Sequence, residues 1–263
     1  MTAMMAGNDF PSRAATAWIR RPGSYALAAM LFVALGTVSI AAADPAARQT
    51  YQARDTLSPV ADPLADAASC LRDLTWTPAP FFVTCCREPG AAYDFLVQFP
   101  SPVASGDAVN DRVSMEWYQP RDEQGEVREA PAVLVIHESG RSMPVGRLFA
   151  RSFQAAGMHS FLIHLPYYGK RNAEGRDPKP DQLFTLIRQA IADARRARDA
   201  IAVLPHVDAS HIAVQGTSLG GFVVATSASL DRGFQSVFIM LAGGNLYDMF
   251  QRGQREVAQA RRE

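Results

Sequence analysis

The chain has 263 residues, 48% of them hydrophobic, and its 26 basic residues balance its 26 acidic residues. This length and hydrophobic content suffice for one large α/β domain or two small ones and argue against a disordered chain. No lysine- or arginine-rich stripe alternates with aromatic residues, so the composition argues against a nucleic-acid partner. The same composition excludes collagen-like, coiled-coil and multi-span membrane proteins.

The first 43 residues have the pattern of an export signal. Three arginines precede an apolar run over 25–40, and three alanines follow it ahead of Asp44. The run is shorter than the roughly 20 residues that a bilayer crossing needs, so we expect a cleaved leader rather than a permanent anchor. The sequence therefore predicts a signal peptide over 1–43 and a secreted or periplasmic protein, which would contact a membrane only through an uncleaved leader.

The three cysteines, Cys70, Cys85 and Cys86, lie within one short segment. In an oxidising compartment, Cys70 could form a disulfide with either member of the adjacent pair, which would leave one thiol over. The spacing lacks the paired C-x-x-C halves of a zinc site, and no histidine lies nearby in sequence. We therefore expect a small structural disulfide and no metal site.

Residues 44–80 are rich in Ala, Asp, Pro and Thr with weak periodicity, which indicates a linker or a loosely packed extension. Strand and helix patterns alternate in the remaining domain, 81–263, which implies a largely parallel sheet with its ligands at the carboxyl ends of the strands. The first two strands should form an antiparallel pair at a sheet edge. Strands are predicted at 93–99, 112–118, 132–136, 160–163, 212–214 and 237–241, and helices at 148–156, 181–204 and 219–230.

A five-residue motif, Gly216-Thr217-Ser218-Leu219-Gly220, follows a predicted buried strand and opens a predicted helix. This is the context of a G-x-S-x-G nucleophile elbow. A serine in a strained turn is crowded by the residues two before and two after it, so both positions must lack a side chain. The backbone N–H of Leu219 would then point at the oxygen that becomes negative when Ser218 attacks an acyl carbon. The alternative is a glycine-rich turn that only packs tightly.

The stretch VDASHIAVQGTSLGG over 207–221 resembles the strand-and-elbow signature of the α/β-hydrolase superfamily, and the resemblance spans about 130–245. Within the superfamily, VIHESG over 135–140 and LPYYGKR over 165–171 look most like dienelactone-hydrolase-like members. In those, a glutamate follows the third strand and its loop supplies the second oxyanion N–H. By matching position, the resemblance implies that Ser139 is this donor and that Glu138 lies near the nucleophile, where a catalytic role as an acid is the less favoured alternative to a structural one. Dienelactone hydrolases carry cysteine where this chain has Ser218, so their substrate does not carry over.

Four further residues are candidates for contact with substrate. His137 ends a predicted strand beside the oxyanion loop, where we expect it to shape that loop and border the substrate rather than to catalyse. Tyr167, Tyr168 and Arg171 follow the next predicted strand, where they could line a pocket for an acyl or anionic substrate. The alternative is that they belong to a packed, solvated loop.

The proton shuttle of a serine hydrolase is incomplete in this sequence. Hydrolases of this fold order their triad as Ser, then Asp or Glu, then His, but all five histidines precede Ser218. Asp248, shortly after the last predicted strand, is the best candidate for the acid. The chain has six predicted strands where the superfamily usually has eight, so we expect a truncated product that lacks the last strands and the histidine. A shifted base, His164 or His137, is the less favoured alternative.

The sequence therefore predicts an α/β-hydrolase fold with a mostly parallel sheet and helices on both faces, its last strands apparently missing. The predicted function is hydrolysis of an ester or another acyl bond in a small molecule, with no metal or organic cofactor. The alternative function is a non-catalytic binding or interaction module of the same fold.

Overall fold

The computed structural model describes residues 48–172, 175, 182–242 and 252, which form one eight-stranded sheet with helices packed on it. The predicted leader and Asp248 lie outside these residues. None of the described helices has the length and apolar character needed to cross a membrane. The strands are β1 (Gln49–Arg54), β2 (Pro80–Cys86), β3 (Phe95–Pro100), β4 (Arg112–Tyr118), β5 (Ala130–Ile136), β6 (His159–Ile163), β7 (Val207–Thr217) and β8 (Ser236–Met240). The helices are α1 (Ala65–Arg72), α2 (Pro144–Ala155), α3 (Leu183–Ile201) and α4 (Leu219–Leu230), and a short 3-10 turn covers Gly169–Arg171.

The sheet is mixed, with strand order β1-β2-β3-β4-β6-β5-β7-β8. Strands β1 to β4 run antiparallel to their neighbours, and β4 is also antiparallel to β6. Strands β6, β5, β7 and β8 are parallel, and Ile163, Ile136 and Gly216 share one register row. The loops that follow β6, β5 and β7 therefore gather at one edge of the sheet, as predicted for a parallel arrangement.

Helices cover both faces of the sheet because the central strands are apolar on both sides. Leu134 and Ile136 of β5 pack in the same cluster as small residues of α3, such as Ala194 and Ala197. Val133 and Val135, on the opposite face of β5, cluster instead with Ala150 of α2. This layering confirms the predicted α/β-hydrolase fold class. The sheet is mixed rather than mostly parallel as predicted, with four of its seven neighbouring strand pairs antiparallel.

The structure differs from the predicted linker over 44–80. Strand β1 pairs antiparallel with β2 along its whole length, so the sheet extends two strands beyond the predicted antiparallel pair, which is not at the edge. The sequence pattern fails here because only Ala53 of β1 is buried, so the strand is held by its backbone rather than by an apolar face.

The three cysteines are free, and the predicted disulfide is not formed. Cys85 is buried in β2, whereas Cys70 is exposed on α1. Burial, together with the neighbouring Cys86, raises the pKa of the Cys85 thiol to about 12. Cys85 therefore behaves as a small core residue rather than as a reactive thiol.

Candidate functional site

A sharp turn joins β7 to α4 and places Ser218 at its apex. Ser218 has φ 52° and ψ −113°, a region that residues with a side chain rarely adopt. Its backbone N–H donates to the Met240 carbonyl at 2.9 Å, while its own carbonyl accepts from the N–H groups of Gly221 and Phe222. The side chain is half-buried, and its hydroxyl makes no hydrogen bond to any described residue. The backbone is thus fixed while the hydroxyl stays available.

The glycines that flank Ser218 are sterically required. A Cβ added to Gly216 would lie 2.2 Å from the Gly220 carbonyl oxygen. A Cβ added to Gly220 would lie 2.1 Å from the Ile136 carbonyl oxygen, and one on Gly221 would meet Ala242 at 2.5 Å. These separations are far inside van der Waals contact, so the turn can close only with glycine at these positions.

The two predicted oxyanion donors lie at the same edge of the sheet. Leu219 is the first residue of α4, so its N–H has no carbonyl one turn earlier to bind. The amides of Gly221 and Phe222, later in that turn, donate to the Ser218 carbonyl, whereas the Leu219 N–H points out of the helix end, as first-turn amides do. Ser139 is exposed in the loop that follows β5, the strand next to β7.

Glu138 has a structural contact that its sequence position did not reveal. Its two carboxylate oxygens accept hydrogen bonds from the N–H groups of Val145 and Gly146, each at 2.9 Å. These are amides of the first turn of α2, so Glu138 caps that helix and is held by it.

His137 is fully buried, with both ring nitrogens engaged. Its Nδ1 lies 2.5 Å from the Glu138 carbonyl oxygen, and its Nε2 accepts from the Leu165 N–H at 3.2 Å. Burial lowers the pKa of His137 to about 4. The predicted contact of His137 with substrate is therefore wrong, because neither ring nitrogen is free to face a substrate. The contacts fit the predicted role of His137 in shaping the loop.

The loop after β6 carries the other predicted contacts. Tyr167 and Tyr168 are half-buried, their hydroxyls make no hydrogen bond to any described residue, and Tyr168 packs edge-on against the His137 ring at 4.7 Å. Arg171 differs from the prediction: it is 1% exposed and pairs with the buried Asp193 at 2.8 Å. Its guanidinium also donates to the carbonyl of Asn110. Arg171 therefore holds the loop in place and does not face a substrate.

All five histidines lie in the described part of the chain, and none offers a base to Ser218. The Nε2 of His164 lies 3.1 Å from Glu116, and its Nδ1 accepts from the Lys170 N–H. His159 is buried between Trp117 and two carbonyl oxygens. His206 and His211 are exposed, the first immediately before β7 and the second about 20 Å along that strand from its end.

A buried acidic residue near this edge was missed by the sequence analysis. Glu116 of β4 is 1% exposed and accepts hydrogen bonds from Tyr118, His164 and Arg147. Burial alone would raise its pKa, but the hydrogen bonds from these three residues lower it to about 2. The available signal was a glutamate flanked by Met115 and Trp117 in a predicted strand, an unusual place for a solvated charge.

Solved structures show the same fold. No protein-family model matches the sequence, and no curated protein does. An acetyl xylan esterase from Paenibacillus sp. matches with a TM-score of 0.51 at 18% identity, over 75% of this chain and 64% of that one. Two further likenesses are weaker. An acetyl xylan esterase from Thermoanaerobacterium sp. has a TM-score of 0.45 at 17% identity, over 68% of this chain and 64% of that one. A dienelactone hydrolase-like promiscuous phosphotriesterase from metagenomic libraries has a TM-score of 0.39 at 21% identity, over 50% of this chain and 54% of that one.

The chain spans less than two thirds of the length of each of these solved structures. The first of these likenesses has a TM-score above 0.5 and so supports a shared fold. The described residues therefore have the α/β-hydrolase fold, of which they cover a part.

Proposed function

We propose that this chain is an esterase-type serine hydrolase that uses Ser218 as its nucleophile in a G-x-S-x-G elbow. The observation that supports this most directly is the backbone of Ser218, held at positive φ between two sterically required glycines while its hydroxyl stays unpaired among the described residues. Strain of this kind, at a cost of about 1–3 kcal/mol, clusters at functional sites.

The proposed reaction has two steps. The Ser218 oxygen bonds to the acyl carbon of an ester while the hydroxyl proton passes to a base and then to the departing alcohol. Water next attacks the acyl-serine, which releases the acid and restores the hydroxyl. In each step the carbonyl oxygen becomes an oxyanion that the N–H groups of Leu219 and Ser139 would stabilise. Tyr167 and Tyr168 would border the substrate.

The general base of this reaction is not one of the five histidines, and Asp248 lies outside the described residues. The proposed substrate is an ester or related acyl compound of a small molecule, because the elbow chemistry requires only an accessible acyl carbon. We also propose a secreted or periplasmic location, on the basis of the predicted leader over 1–43. That segment lies outside the described residues.

The test is acetylation of Ser218 by p-nitrophenyl acetate, followed by mass spectrometry and by release of p-nitrophenol. We expect slow acetylation at Ser218 that added imidazole accelerates, because imidazole can act as the general base that the five histidine rings do not supply. Ser218→Ala should reduce turnover to the rate of buffer plus imidazole. Ser229→Ala, an exposed serine at the end of α4, is the matched control and should match the parent chain. Equal turnover in the parent chain and Ser218→Ala would contradict the proposal.

The second candidate function is a non-catalytic binding module. It is favoured because each of the five histidine rings is either held by other contacts or lies away from Ser218. Such a module would bind its small molecule equally well with and without the hydroxyl. Equal affinity of the parent chain and Ser218→Ala for an ester, measured calorimetrically with no acetylation in either, would support this function over hydrolysis.

A further inference from the structure

The peptide between Glu138 and Ser139 carries two functional groups that face opposite ways. In a trans peptide, the carbonyl of one residue and the N–H of the next lie in one plane and point in opposite directions. The Glu138 carbonyl and the Ser139 N–H are such a pair. Whatever holds the Glu138 carbonyl therefore also decides where the proposed oxyanion donor points.

The group that holds this carbonyl is the imidazole of His137, whose Nδ1 lies 2.5 Å from it. The other ring nitrogen fixes the proton position. Because the Leu165 N–H donates to Nε2 at 3.2 Å, Nε2 must carry the lone pair, and the single proton of the neutral ring is on Nδ1. The ring therefore donates to the Glu138 carbonyl.

We propose that His137, as its Nδ1–H tautomer, is a positioning residue that fixes the plane of the Glu138–Ser139 peptide and so directs the Ser139 N–H toward the oxyanion. This inference rests on the proposed function for its catalytic consequence. Without the Nδ1–H, rotation of this peptide would exchange a donor for a carbonyl, which repels the negative oxygen.

The ring has little freedom to leave this arrangement. Tyr168 packs edge-on against it, and α2 lies so close that a Cβ on Gly146 would be 2.7 Å from the His137 Cβ. The neutral form is favoured by burial, with the pKa lowered to about 4. One tautomer is therefore held at neutral pH.

The same residue contacts the turn that carries the nucleophile. A Cβ on Gly220 would lie 2.7 Å from the His137 carbonyl oxygen, so the β5 loop and the Ser218 turn pack backbone to backbone. Glu138 anchors the other side of the loop through Val145 and Gly146. The amino-terminal side of the Glu138–Ser139 peptide is thus fixed relative to Ser218 and to α2.

Two conservative variants separate this role from simple packing. In His137→Asn the amide nitrogen takes the place of Nδ1 and can still donate to the Glu138 carbonyl, while the Leu165 contact is lost. In His137→Gln the amide reaches the place of Nε2 and can still accept from Leu165, while the Glu138 contact is lost. A merely structural role predicts similar losses in both variants.

The experiment measures three quantities on the full chain: the tautomer by ¹⁵N NMR, amide exchange at Ser139, and imidazole-assisted turnover of p-nitrophenyl acetate. We expect the Nδ1–H tautomer and near-parental exchange and turnover in His137→Asn. His137→Gln should exchange the Ser139 amide faster and lose about 100-fold in kcat with little change in KM, the size expected for one oxyanion donor. An Nε2–H tautomer, or equal kcat in the two variants, would overturn the inference.

The result stays decisive if the proposed function fails. Should Ser218→Ala prove as active as the parent chain, hydrolysis at Ser218 is excluded, and the tautomer and the Ser139 exchange rates still decide whether His137 holds this peptide. Slow exchange in His137→Gln would then refute the positioning role, and fast exchange would retain it.

Discussion

Backbone strain marks one edge of this molecule. Among the described residues, five non-glycine residues have positive φ, and four of them follow carboxyl ends of parallel strands. These four are Met143, Tyr167, Ser218 and Leu241. Strained residues persist only where their surroundings fix them, and they gather at sites where geometry matters more than stability. The loops after β5, β6 and β7 are held by the contacts of His137, Arg171 and the paired glycines, which is how this edge sustains the strain.

Gly220→Ala should destabilise the fold by about 2–4 kcal/mol, because the added Cβ would lie 2.1 Å from a backbone oxygen that cannot move aside. Gly125→Ala is the matched control: its φ is +86° and nothing lies within 4 Å, so it carries conformational strain without a clash. We expect about 1 kcal/mol for that change. Urea denaturation measures both, and similar losses would show that the close approach at Gly220 does not limit the turn.

Acid should destabilise the protein through His137. Its folded pKa of about 4 lies below the ordinary histidine value of 6.5, so the unfolded chain binds the proton more readily and stability is lost as the pH falls from 6.5 to 4. Burial is the main cause; His164 and Arg147 also disfavour the charge, Glu138 favours it, and Tyr168 packs against the ring. The loss should approach about 3 kcal/mol.

Urea unfolding of the parent chain and His137→Asn at pH 7, 5.5 and 4 checks this expectation. The two free energies of unfolding should converge as the pH falls, because only the parent titrates at this position. A pH-independent gap for His137→Asn would refute the assignment.

Sequence patterns located the helices and strands whose apolar residues are buried in the core. The helix predicted over 219–230 coincides with α4, and the predicted strands over 132–136 and 160–163 lie within β5 and β6, because buried strands need continuous apolar runs. Strand β1 was missed because only Ala53 of it is buried, so pairing with β2 rather than an apolar face holds it. Strand β2 does carry an alternating signal, since Phe81, Val83 and Cys85 are buried, but the sequence prediction did not use it.

The residues of the candidate site show the same difference between local and long-range structure. The turn at Ser218 is local, so its glycines could be interpreted from sequence alone. Arg171 could not, since its burial depends on Asp193, which lies on the distant helix α3. Glu116 likewise acquires its environment only when β4, β6 and α2 assemble around it.

Glu116 connects three elements by hydrogen bonds: its own strand β4, the end of β6 through His164, and α2 through Arg147. Its folded pKa of about 2 lies below the ordinary glutamate value of 4.5, so its stabilising effect is present above pH 4.5 and is lost as the pH falls through 2. Glu116→Gln should cost about 3 kcal/mol at pH 7, and the difference should shrink toward pH 2. Urea unfolding across this range measures it; a constant difference would mean that packing rather than charge is responsible.

At the scale of the whole molecule, the segment after β1 is joined to the core by buried ion pairs of α3. Arg196 pairs with Asp55 at 2.6 Å, and Asp199 accepts both the N–H and the hydroxyl of Thr56. Arg195 connects Asp199 to Asp231 at the end of α4. Removing one partner from such a network leaves a buried charge unpaired, which typically costs 3–5 kcal/mol.

A chain that begins at Pro59 should therefore be much less stable than one that begins at Arg48. The shorter chain loses β1, so β2 becomes the edge strand. Arg196 loses its carboxylate partner Asp55, and Asp199 loses the two hydrogen bonds from Thr56 while it keeps its ion pair with Arg195. We expect a loss of at least about 3 kcal/mol in the free energy of unfolding, or failure to unfold cooperatively. If 44–80 were a linker, the two chains would share one urea midpoint, so coincident unfolding curves would contradict the structural role of β1. Adding Arg196→Met to the shorter chain should recover part of the loss, because it removes the unpaired charge without restoring the strand.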